Sequence, residues 1–320
     1  MTQLLARTRA GSRAAFPAHA LVTAARIVGG RPILVAVGLM GFLARGGVVL
    51  LVLPVTVLPT PIGLSIAIGA FNVTAAGPTD RLLWMIVATL AAFTLAFLAG
   101  QAVGVSADLV LTREALSLGQ RRATPGLVAR MLVVRLACLA PLAVACVWAL
   151  GRLYAAGYHQ LILPDDTATP LVVRILRDAS DAAAVVLATW LITETIGGLA
   201  VRQVLVRDAG IVAALGMALG HVARRPVSTL GVALAGTVVL ALLLGPGLFA
   251  AGVLWERMRL ALEPGHSPLV LVALCTLFVA SWLGALVLAG IAATWRSIAW
   301  SLAIGSRAIG SRAVGSPSDP

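Results

Sequence analysis

The chain has 320 residues, 60% of them hydrophobic and 11% charged, and its mean hydropathy is +1.01. Its apolar residues gather in runs long enough to cross a hydrocarbon layer of about 30 Å, which excludes an ordinary soluble domain and predicts an all-α, multi-pass transmembrane bundle. The net charge of +12 comes from arginine without lysine, and the arginines stand in short clusters beside apolar runs, so they point to membrane orientation rather than to a nucleic-acid partner.

In chain order, residues 1–32 form a basic leader without Asp or Glu. No small-residue cleavage site follows the first apolar run, so the leader is expected to remain in place rather than to leave as a signal peptide. Residues 33–300 form the transmembrane domain, with six spans expected at 33–58, 82–105, 131–150, 182–204, 227–244 and 269–293. Arg45 interrupts the first span. Either the helix crosses from residue 33 with Arg45 facing protein, or the crossing starts near Gly46. Pro54, Pro59 and Pro61 predict an irregular segment afterwards, with 62–71 against the membrane. Asn72-Val73-Thr74 is too short a match to assign glycosylation.

The second span carries Ala88, Ala92, Ala96, Gly100 and Gly104, a four-residue spacing that places small residues on one helical face and predicts close packing against protein. In the third span, Arg135 is close enough to the start to snorkel. The connection after it, 152–181, contains Arg174 and Arg177 four residues before Asp178 and Asp181, as in a surface helix with paired charges. His159, Asp165 and Asp166 there lack ligand spacing, and no metal or cofactor is expected.

Glu194 is the single acid deep in an apolar run. Burying it ionised costs on the order of 3 kcal/mol even on lenient insertion scales, so it is expected to face the bundle, with Arg45 as candidate partner, or Thr193, Thr195 or water if it is neutral. The fifth span is expected to end at Gly245-Pro246-Gly247. Trp295 and Trp300 are expected at the membrane boundary, and residues 301–320, with IGSRA twice, as a flexible low-complexity tail.

A repeated plan underlies these spans. The segments 24–53, 116–150 and 215–244 each pass from a basic, partly amphipathic stretch through a proline into an apolar run, by way of Arg31-Pro32, Arg121-Arg122 with Pro125, and Arg224-Arg225-Pro226. Three pseudo-repeated helical hairpins with amphipathic helices on one side are expected. Arg31, Arg121, Arg122, Arg224 and Arg225 become candidate contacts for lipid headgroups. Sixteen arginines fall on the side of the leader and tail against six on the other, which predicts that both termini are cytoplasmic.

Catalysis lacks its parts. No histidine lies in a span, no HExxH pair or P-loop occurs, and Cys138, Cys146 and Cys275 sit singly in apolar runs, so no enzyme activity is expected. The run Glu194-x-x-Gly197-x-x-x-x-Arg202, followed by an amphipathic stretch and Arg225-Pro226, resembles a group of bacterial six-helix integral membrane proteins. That group is related to the membrane domain attached to some glycerophosphodiester phosphodiesterases. The resemblance implies an α-helical membrane module, with no catalytic residue to carry over. The expected function is a non-enzymatic scaffold or accessory subunit that binds membrane lipid or another membrane protein. The alternative is a small transporter or permease subunit with Glu194 in a polar path.

Overall fold

The computed structural model describes residues 18–56, 66, 69, 80–117, 125–163, 169, 171–262 and 267–314. Those residues are helical with short connections. Six of the helices are long and apolar enough to cross a membrane, as an environment without water requires of a chain that must pair its backbone groups internally.

Helix α1 spans Ala18–Gly30 and α2 spans Pro32–Phe42; a π-helical turn at Leu43–Gly47, α3 at Val48–Val52 and a 3-10 turn at Leu53–Val55 complete the first crossing. Then follow α4 (Asp80–Ala115), α5 (Pro125–Ile162), α6 (Leu171–Asp178), α7 (Ser180–Arg207), α8 (Ile211–Arg224), α9 (Pro226–Ala261) and α10 (Pro268–Val314). Sequence neighbours pack as three hairpins: α2 with α4, α5 with α7, and α9 with α10. Helix α10 is the hub, touching α1, α2, α3, α4, α7 and α9.

Proline starts the outgoing helix of each hairpin, at Pro32, Pro125 and Pro226. Its missing N–H falls where the first turn has no intrahelical acceptor, and its fixed φ suits the helix. The corners before Pro32 and Pro226 share one backbone geometry: Arg31 has φ −144° and ψ 84°, and Arg225 has φ −143° and ψ 58°. In both, a short helix folds back on the bundle, burying Ala24 and Val28 from α1 and Ala214 and Ala218 from α8. Arg121 and Arg122, at the corresponding third corner, lie outside the described residues, as do 62–65, Asn72, Asp165 and Asp166.

The helices outrun several expected spans. Helix α9 passes through Pro246 and continues to Ala261, correcting the expected end at Gly245-Pro246-Gly247. One proline removes one hydrogen bond, which a long apolar helix tolerates where neighbouring helices hold it. Helix α10 continues through Val314, so the tail expected from residue 301 is helical over that range; extending a formed helix is easier than nucleating one. Trp300 is buried in the core with Met131, Val134 and Leu199. Trp295 donates its indole N–H to Leu21 O at 3.1 Å and Trp282 donates to Leu51 O at 3.1 Å, binding α10 to the first crossing.

The charges of 152–181 also pair differently from expectation. Arg174 is buried and donates to Gln160 Oε1 at 3.1 Å, Gln160 donates to Asp178 at 2.5 Å, and Asp181 pairs with Arg152 at 3.0 Å. Packing of α6 on α5 turns the arginine inward, where a longer-range partner replaces the neighbour four residues away.

Candidate functional site

The first crossing is one continuous path from Pro32, with Arg45 inside it and facing protein. Its π-turn breaks regular geometry at Gly46, which has φ +99°, a left-handed conformation that only glycine adopts without steric penalty. The turn aims Arg45 at α4, where Nη2 donates to Gly104 O at 2.5 Å and to Asp108 Oδ2. Asp108, three residues past the expected end of the second span, is buried in α4. Its Oδ1 accepts from Ser297 Oγ at 3.0 Å.

Ser297 leads to the next cation. Arg202, on α7, donates from Nη2 to Ser297 O and Oγ, both at 3.0 Å, from Nε to Ser301 Oγ at 3.0 Å, and from Nη1 to Gly198 O at 2.7 Å. Thr112 and Ser301 share a hydrogen bond at 3.0 Å. Thus α4, α7 and α10, the returning helices of the three hairpins, are joined through buried oxygens and one guanidinium.

Glu194 anchors the second half of the network. Its Oε2 accepts from Arg135 Nη2 on α5 and its Oε1 from Arg296 Nη2 on α10 at 3.1 Å. The expected partner Arg45 is therefore replaced by two others. The π-turn faces α4, whereas α7 packs directly against α5. Arg135 does not snorkel: only 5% of it is exposed, because Glu194 supplies inside the protein the anion that a headgroup would supply outside. Arg135 lies ten residues into α5, roughly 15 Å along the helix.

Each hairpin seats one of these arginines on a glycine of the opposite helix. Arg45 lies over Gly104, Arg135 over Gly197 and Arg296 over Gly236. A Cβ at Gly197 would stand 2.9 Å from Arg135 Nη1, and one at Gly236 would stand 2.8 Å from Arg296 Cγ and Cδ. The absent side chains make room for a guanidinium and its methylene stem within the helix pair. All six candidate spans thereby contribute, α9 through Gly236.

The small-residue stripe of α4 divides. Gly100 and Gly104 pack against Ala44 and Arg45, but Ala88, Ala92 and Ala96 are exposed. Beyond the π-turn the first crossing leans toward α9 and α10, with Pro54 beside Gly252 and Leu51 beneath Trp282. Residues 83–99 of α4 are exposed.

At the end of the bundle where the prolines lie, Arg31 pairs with Glu114, while Arg224 and Arg225 are exposed. Asp108, Arg135, Arg202 and Arg296 were missed as site residues. The available signal was spacing: Asp108 lies four residues from Gly104 and Glu194 three from Gly197, one helical turn between a charge and a small residue. Neither the protein-family models, nor the curated proteins, nor the solved structures include a match to this chain.

Proposed function

We propose that this protein is a non-enzymatic module of the bacterial cell membrane, with both termini cytoplasmic, that binds anionic lipid and serves as a scaffold or accessory subunit. One observation carries the reading. Helix α8 buries Ala214 and Ala218 in the bundle yet exposes Val212 (83%), Leu219, Arg224 and Arg225, and Val227 (84%) follows at the start of α9. An apolar face beside cations fits the boundary between acyl chains and anionic headgroups.

The intramembrane charges support the same reading. Asp108 and Glu194 are held by arginines that tie helices together, a cross-linking role that needs no proton exchange. The transporter alternative draws on one feature, the 21% exposure of the Glu194 side chain. It requires Glu194→Gln to fold normally while a proton- or solute-coupled flux disappears.

The test is native mass spectrometry of protein extracted gently from its own membranes, compared with Arg224→Gln/Arg225→Gln. Retained anionic phospholipid that the double variant sheds supports the module. A lipid-free protein, or equal lipid retention by the variant, removes the basis of the assignment.

A further inference from the structure

The charges within the network do not balance. Guanidinium groups of Arg45, Arg135, Arg202 and Arg296 converge on two carboxylates, Asp108 and Glu194. Asp108 interacts electrostatically with Arg45, Arg202 and Arg135, and Glu194 with Arg135, Arg296 and Arg45, so the six groups act as one cluster. Arg202 contributes to the surplus most clearly, since its hydrogen bonds go to carbonyl and hydroxyl oxygens of Gly198, Ser297 and Ser301.

Two donors are also left over. Nε of Arg45 and Nε of Arg135 are buried without a hydrogen-bond partner, and the Arg135 side chain is only 6% exposed. Inside a bundle surrounded by hydrocarbon, water and salt screen an excess cation poorly, so a bound counter-anion is the direct way to offset it. Access exists on the side of Arg296 and Glu194, whose side chains remain 20% and 21% exposed.

The donors define the chemistry of the anion. Guanidinium groups present N–H donors in planar forks that match the oxygens of phosphate or carboxylate. A phosphate monoester or free phosphate carries between one and two negative charges near neutral pH, comparable to the surplus. We infer that the cluster of Arg45, Arg135, Arg202 and Arg296 around Asp108 and Glu194 binds a phosphate-type oxyanion, either free or as a phospholipid headgroup.

This site lies apart from the exposed corner at Arg224 and Arg225, and it depends on the lipid-binding reading only for the source of the anion. The experiment is thermal unfolding in phosphate-free detergent, with inorganic phosphate compared against chloride at equal ionic strength. Micelles doped with phosphatidylglycerol are compared in parallel with micelles doped with phosphatidylcholine. Wild type is set beside Arg296→Gln, which keeps the Arg135–Glu194 pair, and beside Arg224→Gln/Arg225→Gln.

Inorganic phosphate is expected to raise the wild-type midpoint by about 3 °C more than chloride does, and the gain should vanish in Arg296→Gln. A gain with phosphatidylglycerol alone, lost in Arg296→Gln and kept in the corner variant, identifies a headgroup as the source. No gain from either probe in wild type overturns the inference, as does an equal gain in Arg296→Gln. A phosphatidylglycerol effect lost only in the corner variant also overturns it, while leaving the surface lipid site intact.

Discussion

Arg135 lies across Gly197, so close that a Cβ on the glycine would also come within 3.3 Å of Cys138 Cβ. The arginine reaches Glu194 only because this surface is flat. Gly197→Leu should therefore displace Arg135 from its partner and lower stability by about 3 kcal/mol or more, through overpacking and a broken buried ion pair. Gly151→Ala, where an added Cβ meets nothing within 4 Å, should change stability by less than about 1 kcal/mol and with a bias toward gain. Thermal unfolding in detergent of both variants checks the contrast, and equal midpoints would mean that the seat is loose.

Hydropathy made the six-helix architecture legible, because each crossing must be an apolar helix whatever its neighbours are. The proline corners were legible too, since Arg31-Pro32 and Arg225-Pro226 carry local geometry in local sequence. Pairing was not. Glu194 stood out as an acid in an apolar run, but choosing Arg135 and Arg296 over Arg45 depends on which helix packs where, and that is a long-range property. Asp108 and Arg202 were hidden by their positions near charged helix ends, where exposed and buried charges look alike in sequence. The π-turn at Leu43–Gly47 was equally hidden: Gly46-Gly47 marks flexibility without fixing the direction in which Arg45 is turned.

Glu194→Gln removes one negative charge and leaves Arg135 and Arg296 facing a neutral amide. Buried pairs lose on the order of 3 to 5 kcal/mol when one partner is removed. The variant should unfold well below wild type. Adding Arg135→Met to Glu194→Gln removes one stranded cation and should recover part of the loss. Unfolding midpoints of the two single variants and the double form a cycle, and purely additive losses would show that the pair is uncoupled.

Gly46→Ala tests conformation separately from packing. A Cβ at residue 46 meets nothing within 4 Å, yet φ is +99°, so the loss should come from backbone strain, about 1 to 2 kcal/mol. Straightening the turn would also withdraw Arg45 from Asp108. Combining Gly46→Ala with Asp108→Asn should consequently be less damaging than the sum of the single changes. A wild-type midpoint for Gly46→Ala would show that the chain relaxes to another turn without loss.

The stripe on α4 separates folding from association. At Gly100 a side chain would strike the carbonyl of Ala44, so Gly100→Leu should destabilise the protein itself by about 2 kcal/mol or more, and any lost assembly would be secondary. Ala92 is exposed, so Ala92→Leu should leave the unfolding midpoint within about 0.5 kcal/mol of wild type. If another membrane protein docks against this half of α4, Ala92→Leu should weaken its co-purification because the added bulk separates the helix backbones. Chemical crosslinking in native membranes followed by mass spectrometry reads out that contact. Undiminished crosslinks to a protein partner in Ala92→Leu would exclude this face as the interface, whereas loss of those crosslinks at an unchanged midpoint would place the partner there.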